Sequence, residues 1–164
     1  MSEASARFVR ELRGMWDVRF RDVVECHFTL VFGIDGVEEA AYRAHVRAVV
    51  GGERAIPFTC RRALIHPSDR GDYHAFLVPD EGRAAIARLH DRLYTGPLAP
   101  CLRRDLPYVP HITVAAMPDA PRVKALCDEL NAKGLEISGV IDSVSIGALD
   151  AGRIRNVERI GLES

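Results

Sequence analysis

A short phrase occurs twice in the chain, His27-Phe28-Thr29-Leu30 and His111-Ile112-Thr113-Val114, 84 positions apart (111 minus 27). Each copy lies in an apolar run, Cys26 to Phe32 and Val109 to Ala116, whose length and β-branched or aromatic content predict a buried strand. Side chains alternate faces along a strand, so His27 and Thr29 share one face while Phe28 and Leu30 share the other. His111 and Thr113 stand in the same way against Ile112 and Val114. Each phrase therefore presents an imidazole beside a hydroxyl, with an apolar face behind to anchor it. Two such strands can face each other across a cleft.

That pairing suits chemistry on a phosphodiester. With an unperturbed pKa of roughly 6.5, two imidazoles can divide the base and acid roles near neutral pH. One takes a proton from the attacking oxygen and the other gives one to the leaving oxygen. The Thr hydroxyls can donate hydrogen bonds to non-bridging phosphate oxygens as charge builds there. A single H-x-T is more often a structural strand histidine; the repetition in equivalent contexts is what points to function.

Length and charge narrow the setting. At 164 residues the chain is expected to form one domain over 1–164, with 48% hydrophobic and 27% charged residues as in ordinary soluble proteins. A net charge of −1 excludes a global basic field, so a nucleotide or a short RNA terminus fits as substrate better than a long duplex. The four cysteines, Cys26, Cys60, Cys101 and Cys127, form no C-x-x-C pair and follow no secretory signal, which predicts reduced thiols in a cytoplasmic protein. Cys26 faces away from His27, against a Cys-His nucleophile. No metal-ligand spacing joins any of the six histidines, so neither metal nor cofactor is expected. No apolar run approaches the ~18 residues of a membrane span.

In chain order, Ser5 to Trp16 reads as an amphipathic helix with its arginines on a solvated face. Val37 to Val50 reads as a helix with His45 on its packed face, closed by Gly51-Gly52. Ala55 to Ile65 is a strand carrying Arg61-Arg62, of which at most one can point into a cleft, and His66 opens an exposed turn. Tyr73 to Val78 is a strand, Asp80 a candidate N-cap of a helix reaching Tyr94, and Leu98 to Pro107 a loop. His74 and His90 fit structural or surface roles. Pro110 holds Val109 extended as the second H-x-T strand begins. Val123 to Ala132 is a helix, Leu135 to Leu149 a strand, Asp150-Ala151-Gly152 a hairpin turn and Ile154 to Leu162 a last strand. The order of elements suggests an internal duplication with the H-x-T strands related by approximate two-fold symmetry.

The pairing of C-H-F-T-L-V-F with P-Y-V-P-H-I-T-V-A resembles the 2H phosphoesterases, and within them the 2′-5′ RNA ligase-like branch; E-L-R-G-M-W-D resembles the leader helix of one bacterial subgroup. The resemblance spans roughly Phe8 to Leu162. It implies a bilobal α+β fold, two pseudo-symmetric antiparallel-sheet lobes (about 5–66 and 73–162) with helices outside and a central cleft. It also implies metal-independent action on 2′,3′-cyclic phosphates, 2′-5′ linkages or related cyclic phosphodiesters. By the same resemblance His27 and His111 are acid and base, Thr29 and Thr113 hold the phosphate, Tyr108 stacks on a base or walls the cleft, and Arg61, Arg62, Arg103 and Arg104 are candidates for phosphate binding. Gly33-Ile34 stands where the subgroup often has a proline-aromatic turn, and a strand ahead of the first helix is missing.

The expectation is thus a monomeric hydrolase of RNA processing acting at a ribose 2′ position. The rival from another class is a non-catalytic module that grips a nucleotide or RNA terminus in the same cleft.

Overall fold

A computed structural model describing residues 1–164 shows a mixed α+β fold. Helix α1 (Glu3–Trp16) starts where the Ser2 side chain accepts the Ser5 N–H, and it buries Val9 and Leu12. One of its arginines leaves the solvated face expected of it. Arg13 is 7% exposed and pairs at 3.0 Å with fully buried Asp17, one helical turn on. The Arg13 guanidinium also donates to the Phe20 and Val24 carbonyls, while Asp17 accepts the Phe20 N–H. With the Asp17 carboxylate beside it and its Nε and Nη2 donors engaged, the charge is tolerated inside. The pair sets the path of the chain toward the first H-x-T.

Helix α2 (Glu39–Val50) is capped by the Glu38 carboxylate, which accepts the Ala40 and Ala41 N–H groups. His45 sits on its packed face as expected, bonded to the Leu93 carbonyl at 2.9 Å. Strands β1 (Ile56–Pro67) and β2 (Tyr73–Glu81) form an antiparallel hairpin. β2 continues past the expected helix start, and α3 (Arg83–Leu93) begins after Gly82 rather than at Asp80. Asp80 is held in an ion pair with Arg61 across the hairpin. Gly82 makes the turn at φ +80°, where a Cβ would strike the Pro57 carbonyl. A short 3-10 turn (Gly96–Cys101) occupies part of the predicted loop.

Strand β3 (Ile112–Met117) joins the edge of β2, and β4 (Ile137–Ile141) joins β1, giving an antiparallel sheet of order β3-β2-β1-β4. The single strand predicted over Leu135 to Leu149 is two. The chain changes sheet at Asp142, after which β5 (Ser143–Asp150) pairs only with β6 (Arg153–Gly161). Asp150-Ala151-Gly152 makes the hairpin turn, with positive φ at Ala151 and Gly152.

The two faces of the four-stranded sheet differ. Ala63, Leu77 and Ile112 lie on the side packed by α4 (Ala120–Ala132), which buries Val123, Leu126, Cys127 and Leu130. The Asn131 amide clasps Ala63, accepting its N–H and donating to its carbonyl. Arg62, Leu64 and His66 of β1 lie on the other side, with Val78, Phe76 and His74 opposite them on β2 and Thr113 opposite Phe76 on β3. No helix is long and apolar enough to cross a membrane.

Candidate functional site

The first H-x-T is not a strand: residues 25–35 carry no ladder at all. Side chains supply what a neighbouring strand would. The Tyr108 hydroxyl donates to the Thr29 carbonyl at 2.9 Å, His90 Nδ1–H donates to the Leu30 carbonyl at 2.7 Å, and the Phe32 N–H donates to the Tyr94 hydroxyl at 3.1 Å. The holders brace one another, with the His90 and Tyr108 rings stacked at 3.6 Å and 3° and Tyr94 tilted against His90 at 4.8 Å. Backbone groups so satisfied need no sheet partner. The alternation expected of a strand nonetheless survives. Phe28 packs edge-on against Phe58 at 4.9 Å, and Leu30 lies against the core. On the other side His27 Nε2 lies 3.0 Å from Thr29 Oγ1.

The second H-x-T behaves as expected from Ile112 onward, with His111 immediately ahead of β3 and Pro110 buried. Both histidines make the same local bond. His27 Nδ1 lies 2.7 Å from the Glu25 carbonyl and His111 Nδ1 lies 2.7 Å from the Val109 carbonyl, in each case two residues back. A carbonyl only accepts, so Nδ1 carries the proton in both rings and Nε2 is left to act. The Thr29 hydroxyl then donates to neutral His27.

Electrostatically the two are unlike. His27 is exposed, whereas His111 is half-buried. Burial pushes the His111 pKa down to about 4, against the opposing pull of its bond to Val109, and the neighbouring His66, His27 and His74 add to the depression. Phe76 lies flat against His111 at 3.5 Å and 16°, and His66 covers the other side of Phe76 at 4.9 Å and 20°. His66 is exposed, as expected, but stands at the end of β1 instead of in a turn, because the ladder with β2 continues through His66 opposite His74 to Pro67 opposite Tyr73.

The other candidates separate. Tyr108 has one ring face against His90 and its hydroxyl on the Thr29 carbonyl, which makes it a wall of the first H-x-T segment. Arg61 is paired with Asp80 and Glu136, both at 3.0 Å, and Arg103 with Asp105 at 2.6 Å. Arg62 and Arg104 are exposed and make no ion pair. Only Arg62 shares the sheet face of Thr113. No group of three His, Cys, Asp or Glu side chains converges in a way that could hold a metal ion. Cavities of about 370 Å³, edged by Arg54, Gly82 and Arg88, and of about 360 Å³, between α1 and the end of α4, are lined by neither H-x-T.

Tyr94, Phe76 and the Arg13–Asp17 pair are the participants that the sequence reading passes over, whereas His90 has a structural role, one of the two expected of it. For His90 a signal existed, since it follows Ile86 and Leu89 at helical spacing on the buried stripe of α3. The family model described as the 2′-5′ RNA ligase superfamily matches residues 1–153, which include both H-x-T segments. No curated protein matches the chain.

Proposed function

We propose that this chain, which belongs to the 2′-5′ RNA ligase superfamily and thus to the 2H phosphoesterases, is a metal-independent phosphodiesterase that opens 2′,3′-cyclic phosphates or 2′-5′ linkages of nucleotides or RNA ends. The observation that carries the reading is the shared Nδ1-to-carbonyl bond of His27 and His111, which leaves each Nε2 for proton transfer beside a threonine. We read the space between the two H-x-T segments as the cleft of a pseudo-symmetric, bilobal arrangement.

The roles follow from burial. His111, neutral at physiological pH because charging it inside is costly, acts as base: its Nε2 takes a proton from water as the oxygen attacks phosphorus. His27 stands in solvent, where a positive charge is not penalised by burial, and gives its Nε2 proton to the ribose oxygen as the phosphorus–oxygen bond breaks. The Thr29 and Thr113 hydroxyls donate to the non-bridging oxygens, Thr29 turning away from His27 as the ring takes its proton. The net change is one water added across one phosphorus–oxygen bond.

General acid or base assistance contributes about 10²- to 10⁴-fold, or ~3 to 5 kcal/mol, per group. Hydrolysis of a 2′,3′-cyclic nucleotide in the presence of EDTA should therefore fall at least about a hundredfold in His27→Ala and in His111→Ala. Wild-type turnover in either variant removes that histidine from the mechanism, and loss of activity with EDTA removes metal independence. Tight binding with no turnover in the wild type would leave a binding module.

A further inference from the structure

The proposed cleft uses β3 and the first H-x-T segment, yet the face of the sheet beside it carries side chains that this chemistry does not employ. Arg62, Leu64 and His66 alternate onto that face from β1, the strand two places from β3. The register sets Leu64, Phe76 and Thr113 in one row across the sheet. One step further, with Leu77 opposite Ile112, Arg62 and Val78 line up with His111. At two strand spacings, Arg62 is about 10 Å from His111 along the sheet.

Each member of the strip is open and unspent. Leu64 is 38% exposed, on the part of β1 beyond its pairing with β4 (Ile56–Cys60), where β2 alone lies beside it. Arg62 is an exposed cation without a carboxylate, in contrast to Arg61 next to it, whose two carboxylates hold it at the surface. His66 presents the ring face that is not against Phe76, so the stack His111–Phe76–His66 runs from the proposed reacting centre to a free aromatic surface. From Arg62 to His66 the strip is about 14 Å long. A cation, an apolar patch and a flat ring in that sequence match a phosphate and a base of one nucleotide.

We propose that Arg62, Leu64 and His66 form a nucleotide subsite, in which Arg62 binds the phosphate next to the one undergoing reaction and His66 stacks on the adjoining base. The inference rests on the phosphodiesterase reading and deepens it: the preferred substrate is an oligonucleotide end of two or more residues rather than a cyclic mononucleotide.

The test compares kcat/KM for a cyclic mononucleotide and for a trinucleotide ending in the same 2′,3′-cyclic phosphate, in wild type, Arg62→Gln and His66→Ala. The wild type should favour the trinucleotide by about tenfold or more. Arg62→Gln should reduce that preference about tenfold and make the salt dependence of trinucleotide turnover shallower by about 0.7 in log–log slope, the value for one single-strand phosphate contact. His66→Ala should reduce the preference without altering the salt slope. Equal handling of the two substrates by the wild type, or an unchanged preference in Arg62→Gln, overturns the subsite. Equilibrium binding of a trinucleotide ending in a 2′-phosphate separates this failure from that of the parent reading. With no turnover of either substrate, binding weakened about tenfold by Arg62→Gln keeps the subsite and removes the enzyme, while binding indifferent to Arg62 removes both.

Discussion

Tyr108→Phe isolates what holds the first H-x-T in place. The substitution keeps the ring, and with it the stack on His90, and deletes only the hydroxyl that donates to the Thr29 carbonyl. A neutral hydrogen bond contributes a net ~0.5 to 1.5 kcal/mol, and a carbonyl left unpaired in a half-buried place costs about 1 to 3 kcal/mol. A loss of about 1 to 2 kcal/mol is expected, which for a chain of this length lowers Tm by roughly 2 to 8 °C. The catalytic consequence should exceed the stability change. Thr29 and His27 sit on a segment with no ladder, so its release displaces a reacting group, and a displacement of about 1 Å can cost on the order of 100-fold in rate. The expected outcome is kcat for a 2′,3′-cyclic nucleotide lowered about 10- to 100-fold, with KM within about threefold of wild type. If Tyr108 stacked on a substrate base instead, phenylalanine would serve equally well. Wild-type kcat and Tm in Tyr108→Phe would therefore refute the clamp.

Two further outcomes concern stability. In the folded protein His111 gains its proton near pH 4 rather than near the ~6.5 of an unfolded chain, so as pH falls the unfolded state binds the proton first. Stability should be unaffected by this group above about pH 6.5 and decline from there to pH 4 by up to about 3 kcal/mol, as read by denaturant midpoints. His111→Asn should lose that part of the acid sensitivity, and an identical decline in the variant would refute the assignment. Arg13→Met strands the buried Asp17 carboxylate and should cost about 3 to 5 kcal/mol by chemical denaturation, with Asp17→Leu added to it recovering part of the loss. A cost below about 1 kcal/mol would show that the pair does not organise the path from Asp17 to Val24.

The features legible in the sequence are those written in local pattern. The α1, α2 and α4 stripes, the β1–β2 hairpin and the alternation of His27 with Phe28 each follow from period and turn chemistry, and each is present. What escaped depends on partners distant in the chain. Cys26 to Phe32 has the composition of a strand, but its polar backbone groups are met by Tyr94, His90 and Tyr108, more than sixty positions away. No window of sequence reports that. Arg61 and Arg62 were indistinguishable until Asp80 and Glu136 claimed one of them. Leu135 to Leu149 reads as one strand because its break at Asp142 is set by which sheet each half joins.

The unequal supports of the two histidines bear on the proposed division of labour. A base must be uncharged when substrate arrives, and His111, half-buried with Phe76 flat against its ring, is kept so by desolvation. Placing such a ring requires a rigid strand, and β3 is continuous with the core through Ile112 and Val114. An acid must arrive charged, which the exposed His27 can do, but an exposed segment lacks the packing that would fix its ring. The side-chain clamp of His90, Tyr94 and Tyr108 supplies that fixation without burying the imidazole. On this argument a sheet-held first H-x-T would be the poorer design for an acid: drawing His27 under cover would oppose the charge it has to carry.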